Sequence, residues 1–168
     1  MNHLVYLALG TNLGDRLANL KAAIAGLPPA VRVIASSPVY ETPPWGYLDQ
    51  PAFLNQVARA ETELPPEQLL VYLKGLEVQL GRQPSVRNGP RLIDLDILFY
   101  DHLILSSPTL TIPHPRIAER AFVLVPLTDL ASDLRHPVMG KTIRELAAQV
   151  NRSGIALYTP PENTFDKG

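Results

Sequence analysis

The stretch Arg91-Leu92-Ile93-Asp94-Leu95-Asp96-Ile97-Leu98-Phe99 constrains the fold more than any other part of the chain. Alternate residues of a β-strand share one face. As a strand, its odd positions Ile93, Leu95, Ile97 and Phe99 form an apolar face for a core, while Asp94 and Asp96 fall together on the other face. Two steps of strand rise separate the two aspartates by about 6.6 Å at Cα. Both carboxylates can then converge on one or two hard cations. Like charges on one strand face repel, and aspartate is a poor strand former, so the pair calls for a reason. Spacing alone leaves two readings open: metal binding, or a solvated acidic face.

The elements around this strand can be read from their periodicity. Leu4 to Leu9 is a short apolar run that ends at the turn Gly10-Thr11-Asn12-Leu13-Gly14-Asp15. Leu17, Leu20, Ile24 and Leu27 then recur at helical spacing up to Pro28-Pro29. Val31 to Ala35 and Val39 to Glu41 read as strand, interrupted near Pro38. Phe53 to Thr62 is a further strand. Pro65-Pro66 opens a helix with Leu69, Leu73, Leu76 and Leu80 on one face, and Gly81 is placed to end it. Residues 102–112 read as a hairpin or loop around Pro108, and Thr142 with Glu145 forms a capping box for a last helix reaching about Val150. The order β-α-β-β-α-β predicts an α+β fold with a ferredoxin-like core, an antiparallel sheet carrying its helices mainly on one face. One domain over residues 1–158 is expected, with 159–168 a loose tail.

Bulk composition excludes more than it selects. Among 168 residues, 46% are hydrophobic and 18% charged, and the net charge is −1. No global field draws the chain to nucleic acid or to a membrane surface. The 17 prolines imply stiff loops and sharply bounded helices. The absence of cysteine removes disulfides, thiolate metal sites and cysteine nucleophiles together. No apolar run approaches the roughly 18–20 residues needed to span a bilayer, and the N-terminus reads as a first strand. A cytoplasmic monomer acting on small molecules is the expectation.

What precedes the paired aspartates favours phosphate chemistry. Arg82, Arg87 and Arg91 fall within ten residues, with no acid among them, in a segment that Pro84, Gly89 and Pro90 mark as a loop. The planar fork of arginine matches phosphate oxygens. Familiar nucleotide motifs are missing: Gly140-Lys141-Thr142 resembles the end of a P-loop, but Arg135 stands where the first glycine belongs.

These residues resemble a known family. Gly89-Pro90-Arg91-Leu92-Ile93-Asp94-Leu95-Asp96 is similar to the signature of the 6-hydroxymethyl-7,8-dihydropterin pyrophosphokinases of folate biosynthesis. The likeness runs collinearly from Leu9-Gly10-Thr11-Asn12-Leu13-Gly14 to about residue 130. It includes Tyr40-Glu41-Thr42-Pro43-Pro44, Gln50-Pro51-Ala52-Phe53-Leu54-Asn55, Glu77 with Gly81-Arg82, and Pro113-His114-Pro115-Arg116.

The resemblance implies transfer of pyrophosphate from ATP to the pterin hydroxymethyl oxygen, by in-line attack on the β-phosphorus with AMP leaving. It implies two Mg2+ ions on Asp94 and Asp96, with Arg82 and Arg91 completing the catalytic set. Thr42, Pro43, Pro44 and Trp45 would meet the pterin through main-chain groups and Asn55 through its amide, with Phe53 and Phe122 sandwiching the ring. Arg82, Arg87 and Arg91 would hold phosphates, with His114 and Arg120 nearby. Leu70 and Ile97 would flank the nucleoside, Thr111 the ribose, and Glu77 would position Arg82 or the nucleoside. Loops 43–51 and 82–90 are the expected lids.

The chain also departs from that pattern. The loop after Arg82 is one residue shorter, Pro84 replaces an arginine, and Asn88 takes a place often held by tryptophan. Thr109 stands where an arginine can occur, and Trp45 replaces a leucine. Two other classes compete for the same residues: a binding module without chemistry, and a two-metal phosphoesterase.

Overall fold

A computed structural model describes residues 2–44, 49–83 and 90–159. Its elements follow the expected order: β1 (His3–Thr11), α1 (Arg16–Gly26), β2 (Val31–Ser36), β3 (Val39–Thr42), β4 (Phe53–Thr62), α2 (Pro66–Gln79) and β5 (Asp94–Tyr100). A short hairpin, β6 (Leu105–Ser106) with β7 (Thr111–Ile112), leads to α3 (Ala121–Ala131), α4 (Ile143–Gln149) and β8 (Ala156–Thr159). The sheet runs β5-β1-β4-β3-β8, with β2 also paired to β4, and every pairing is antiparallel. Counting β2 and β3 as one interrupted strand yields the ferredoxin-like arrangement read from the sequence.

Pro38 explains the interruption, because proline cannot donate to a ladder. β2 pairs with residues 58–62 of β4, and β3 with residues 53–55. Between them Ser37 acts as a splice. Its N–H donates to Val57 O at 2.8 Å, and its hydroxyl accepts from Val57 N at 2.9 Å. The ladder thus stays satisfied while β3 takes its own direction toward Thr42.

Three of the helices are bounded as their sequences require. The Asp15 side chain accepts from Ala18 N at 3.1 Å and caps α1. Gly81, at φ +101°, ends α2 in a conformation side chains avoid. Thr142 and Glu145 form the capping box of α4.

Two apolar layers enclose the sheet. On one face, Leu20, Ala23 and Leu27 of α1 and Leu69, Leu73 and Leu76 of α2 pack on Leu7, Leu9, Leu54, Leu95 and Ile97. On the other, Val123, Leu124 and Leu127 of α3 and Ile143 and Leu146 of α4 pack on Tyr6, Val57, Leu98 and Phe99. Each fully buried leucine or valine contributes about 1.5–3 kcal/mol of transfer free energy. Helices therefore cover both faces, which corrects the one-faced expectation: α3 is apolar enough to bury Leu124 and Leu127 completely.

A second correction concerns β5. Its pairing with β1 shifts register after Tyr6, so Tyr6 faces Phe99 while Leu7 faces Ile97. The bulge breaks strict alternation. Phe99 consequently packs with Leu98 under α3, and not with Ile93, Leu95 and Ile97. A third is β8, which the periodicity did not reveal. Thr159, expected in the tail, is its last residue, and residues 160–168 lie outside the described ones. Among the described residues, no helix is long and apolar enough to cross a membrane.

Candidate active site

The α3–α4 layer stops short of one end of the sheet. Tyr6 and Val57 lie under it and Ala8 at its border, but Gly10 of β1, Phe53 and Asn55 of β4, and Asp94 and Asp96 of β5 lie beyond it. They floor a cleft of about 730 Å³, measured out to its open mouth, whose walls include Thr42, Pro43, Arg91, His114, Arg120 and Phe122. Its mixed apolar and polar lining suits a small-molecule site.

The aromatic end of the cleft is built by β3 and β4. Register places Thr42 opposite Phe53 and Tyr40 opposite Asn55. Asn55 is 8% exposed, and its amide donates to Thr42 Oγ1 at 2.6 Å, which fixes the plane of the amide. Gly10 makes room for it, since a Cβ there would stand 3.0 Å from Asn55 Oδ1 and 3.9 Å from the Phe53 ring. Phe122 enters from the start of α3, with the Arg120 guanidinium 5.5 Å from its ring centroid.

The charged end is built around β5. Asp94 Oδ1 accepts from Arg82 at 3.0 Å, and Asp94 Oδ2 from Arg91 at 3.5 Å. Arg82 also donates to Glu77. Glu77 is 3% exposed, which rules out a solvated helix acid at this position. Its carboxylate accepts from Leu95 N at 2.7 Å and from Lys74 Nζ at 2.9 Å. Arg91 Nε is buried without a hydrogen-bond partner among the described residues. A buried, charged donor in that state suits an incoming oxyanion.

The local field separates the titratable groups. Burial, and then the charge of Asp94, pushes the Asp96 carboxyl up to about 6, against the pull of Lys74 and Arg120. Burial and the neighbouring Arg120 push His114 down to about 4. His114 is thus neutral near pH 7. Its Nδ1 accepts from Arg116 N at 3.1 Å, which leaves Nε2 as the proton-bearing nitrogen. Lys74 is driven up despite burial, because Asp96, Asp94 and Glu77 surround it.

Of the residues singled out from sequence, Thr42, Pro43, Phe53, Asn55, Arg91, Asp94, Asp96, His114, Arg120 and Phe122 line one cleft. Arg82 and Glu77 stand directly behind Asp94. Leu70, Ile97, Thr111 and Pro44 are not among its lining residues. The Ile97 side chain is 3% exposed and packs in the core. Trp45 and Arg87 lie outside the described residues, as do 45–48 and 84–89 of the two expected lid loops. Lys74 and Asn12 were missed. The only sequence sign of Lys74 is its i,i+3 spacing to Glu77 on α2.

A cleft with arginines and paired carboxylates at one end and an aromatic-walled pocket at the other suits a transferase of the kinase class. The chain belongs to the 7,8-dihydro-6-hydroxymethylpterin-pyrophosphokinase (HPPK) family, whose model matches residues 6–132. It is 46% identical over 152 residues to the 2-amino-4-hydroxy-6-hydroxymethyldihydropteridine pyrophosphokinase of Methylorubrum extorquens, covering 89% of this chain and 95% of that one. It is 48% identical over 143 residues to the folic acid synthesis protein fol1 of Pneumocystis carinii. That match covers 84% of this chain but only 19% of the longer protein. Among solved structures, a Plasmodium falciparum HPPK-DHPS triple mutant superposes with a TM-score of 0.74 at 18% identity, over 89% of this chain and 43% of that one.

Proposed function

We propose that this chain, an ATP-dependent pyrophosphokinase of folate biosynthesis by family, transfers the pyrophosphoryl group to 6-hydroxymethyl-7,8-dihydropterin in this cleft. One observation carries the reading: the paired aspartates line the same cleft as Phe53, Asn55 and Phe122. Donor and acceptor would then meet between them. The acceptor hydroxyl attacks the β-phosphorus and gives up its proton to water, the bond from that phosphorus to the oxygen it shares with the α-phosphorus breaks, and AMP leaves. Such transition states are loose, so positioning and charge neutralisation supply most of the rate.

Asp94 and Asp96 would hold two Mg2+ ions. Asp94 Oδ1 and Asp96 Oδ1 lie 3.9 and 3.7 Å from the same ammonium, Lys74 Nζ, so the two carboxylates are near enough to share one cation. No group of three or more such ligands occurs among the described residues. Two carboxylates completed by phosphate oxygens and water is a donor set magnesium accepts. The metal would supply positive charge against the charge that develops on the phosphate oxygens.

The other roles fall to side chains. Arg82 and Arg91 would stabilise the migrating group, Arg91 through its Nε, which has no hydrogen-bond partner among the described residues. His114 would donate from Nε2 to a phosphate oxygen, and Arg120 would add charge beside it. Phe53 and Phe122 would stack the pterin, Asn55 would read its amide-like edge, and main-chain groups of Thr42 to Trp45 would complete the pocket. Arg87 would add a phosphate contact, and Leu70, Thr111 and the main chain at Ile97 would border the nucleoside. A cytoplasmic monomer is part of this reading, and the near-neutral net charge is in keeping with no nucleic-acid or membrane partner.

The test is AMP release from Mg-ATP with and without the hydroxymethyl-dihydropterin. Acceptor-dependent AMP is expected. Phosphate or pyrophosphate release without acceptor would point to a hydrolase, and tight binding without AMP to a binding module. Asp96→Ala should abolish transfer and metal-dependent ATP binding in a folded chain, and a normal rate from it would refute the metal assignment.

A further inference from the structure

Among the described residues β5 is an edge strand, so the outward N–H and C=O groups of its residues lack a partner strand there. At Leu95, between the two aspartates, α2 supplies the missing partners. Leu95 N donates to Glu77 Oε2 at 2.7 Å, and Lys74 Nζ donates to Leu95 O at 2.9 Å. Lys74 also donates to the same Glu77 oxygen at 2.9 Å. Its stem reaches round the sheet edge from the face opposite the cleft, and 42% of the side chain stays exposed.

These bonds fix where the ammonium charge sits. It lies 3.9 Å from Asp94 Oδ1 and 3.7 Å from Asp96 Oδ1. Both distances exceed a hydrogen bond, so the ammonium attracts the carboxylates without occupying their lone pairs. Arg82 and Arg91 contact Asp94 directly, whereas Lys74 is close to both aspartates at once. A positive charge so placed does two opposing things. It holds the two carboxylates together and ionised, and it repels any further cation that would bind them.

We propose that Lys74 is a positioning residue: a built-in counter-charge that keeps the Asp94–Asp96 pair assembled in the free enzyme and sets a low affinity for a free divalent ion. Metal is then retained only when a polyphosphate arrives to supply additional ligands and negative charge. The inference rests on the metal reading of the two aspartates. It goes further by assigning the metal's dependence on nucleotide to one side chain outside the cleft.

The experiment is Mn2+ binding to nucleotide-free protein, followed by electron paramagnetic resonance and calorimetry, for wild type, Lys74→Met, Lys74→Gln, Lys74→Arg and Asp96→Ala. Thermal melts run alongside. Loss of the charge in Lys74→Met should tighten Mn2+ binding roughly tenfold, with Lys74→Arg behaving as wild type. Equal or weaker binding by Lys74→Met overturns the proposal, because an edge brace alone predicts that result. Lys74→Gln, which keeps a donor for Leu95 O, decides by the same criterion where the methionine variant does not fold. Unchanged Mn2+ binding by Asp96→Ala would instead sink the metal reading itself, and this inference with it.

Discussion

Asn12 grips the main chain of Arg91 from both sides. Its N–H donates to Arg91 O at 3.0 Å, and its side-chain oxygen accepts from Arg91 N at 2.8 Å. The amide of the same side chain donates to Gln50 Oε1 and Pro51 O, each at 2.9 Å. One buried asparagine thus ties the segment before β4, which ends in the acceptor pocket, to the arginine that precedes the aspartates.

Asn12→Ala should therefore weaken both substrates together. Leaving Arg91 N without its acceptor costs about 1–3 kcal/mol in a buried setting. Steady-state kinetics should return raised KM for ATP and for the pterin, with a lowered Tm. A change confined to one substrate would show that Asn12 does not couple the two ends.

Gly10→Ala should act on the acceptor alone. The added methyl would press on Asn55 Oδ1 at 3.0 Å and turn the amide that Thr42 orients. Calorimetry should find pterin affinity reduced about tenfold, the equivalent of 1.4 kcal/mol, with nucleotide affinity unchanged.

Glu77→Leu should be among the most damaging single changes. It removes the acceptor for Leu95 N and strands two cations, Lys74 and Arg82. Breaking a buried ion pair from one side costs roughly 3–5 kcal/mol. Urea titration measures this directly, and a loss below 1 kcal/mol would mean the cluster is far better solvated than its burial implies.

Metal-dependent ATP binding should weaken as pH falls through about 6, because a protonated Asp96 cannot serve as a ligand. His114 should not produce that limb, since it titrates near 4. His114→Asn should lower the rate but keep the same midpoint. Stability carries a separate signature. The folded His114 pKa lies below its unfolded value near 6.5, so the unfolded chain binds more protons in between. Stability should therefore fall as pH drops from about 6.5 toward 4, and His114→Asn should flatten part of that slope in pH-dependent denaturant unfolding.

Leu73→Ala tests the layer beneath the charged cluster. Leu73 is fully buried between α2 and the sheet. The resulting cavity should cost about 2–5 kcal/mol in urea unfolding, with the folded enzyme's KM values unchanged.

Strong periodicity made much of this legible in advance. The apolar spacing of α1 and α2, the break at Pro38 and the capping box at Thr142 are each set by neighbouring residues, so sequence alone exposes them. Phe99 was misread because a bulge depends on the partner strand, and nothing in residues 91–100 marks an extra residue. That helices cover the second face was missed for a related reason: α3 is apolar nearly all round, which hides the direction it packs. β8 is short and mostly exposed, so it leaves no alternating pattern. Asp94 and Asp96 stood out as two acids in an apolar strand, whereas Lys74 looks like any surface lysine until the open edge of β5 comes into view.

The splice at Ser37 has a bearing on how this pocket can change over time. β4 is paired on both sides along its length, by β1 and by the two halves β2 and β3, so it cannot slide by one residue without inverting every side chain it carries. Phe53 and Asn55 would then turn into the leucine layer, and Leu54 would surface in their place. Acceptor preference is for that reason anchored in the sheet, and new preferences have to arise at the ends of β3 and α3, where the chain has latitude to drift.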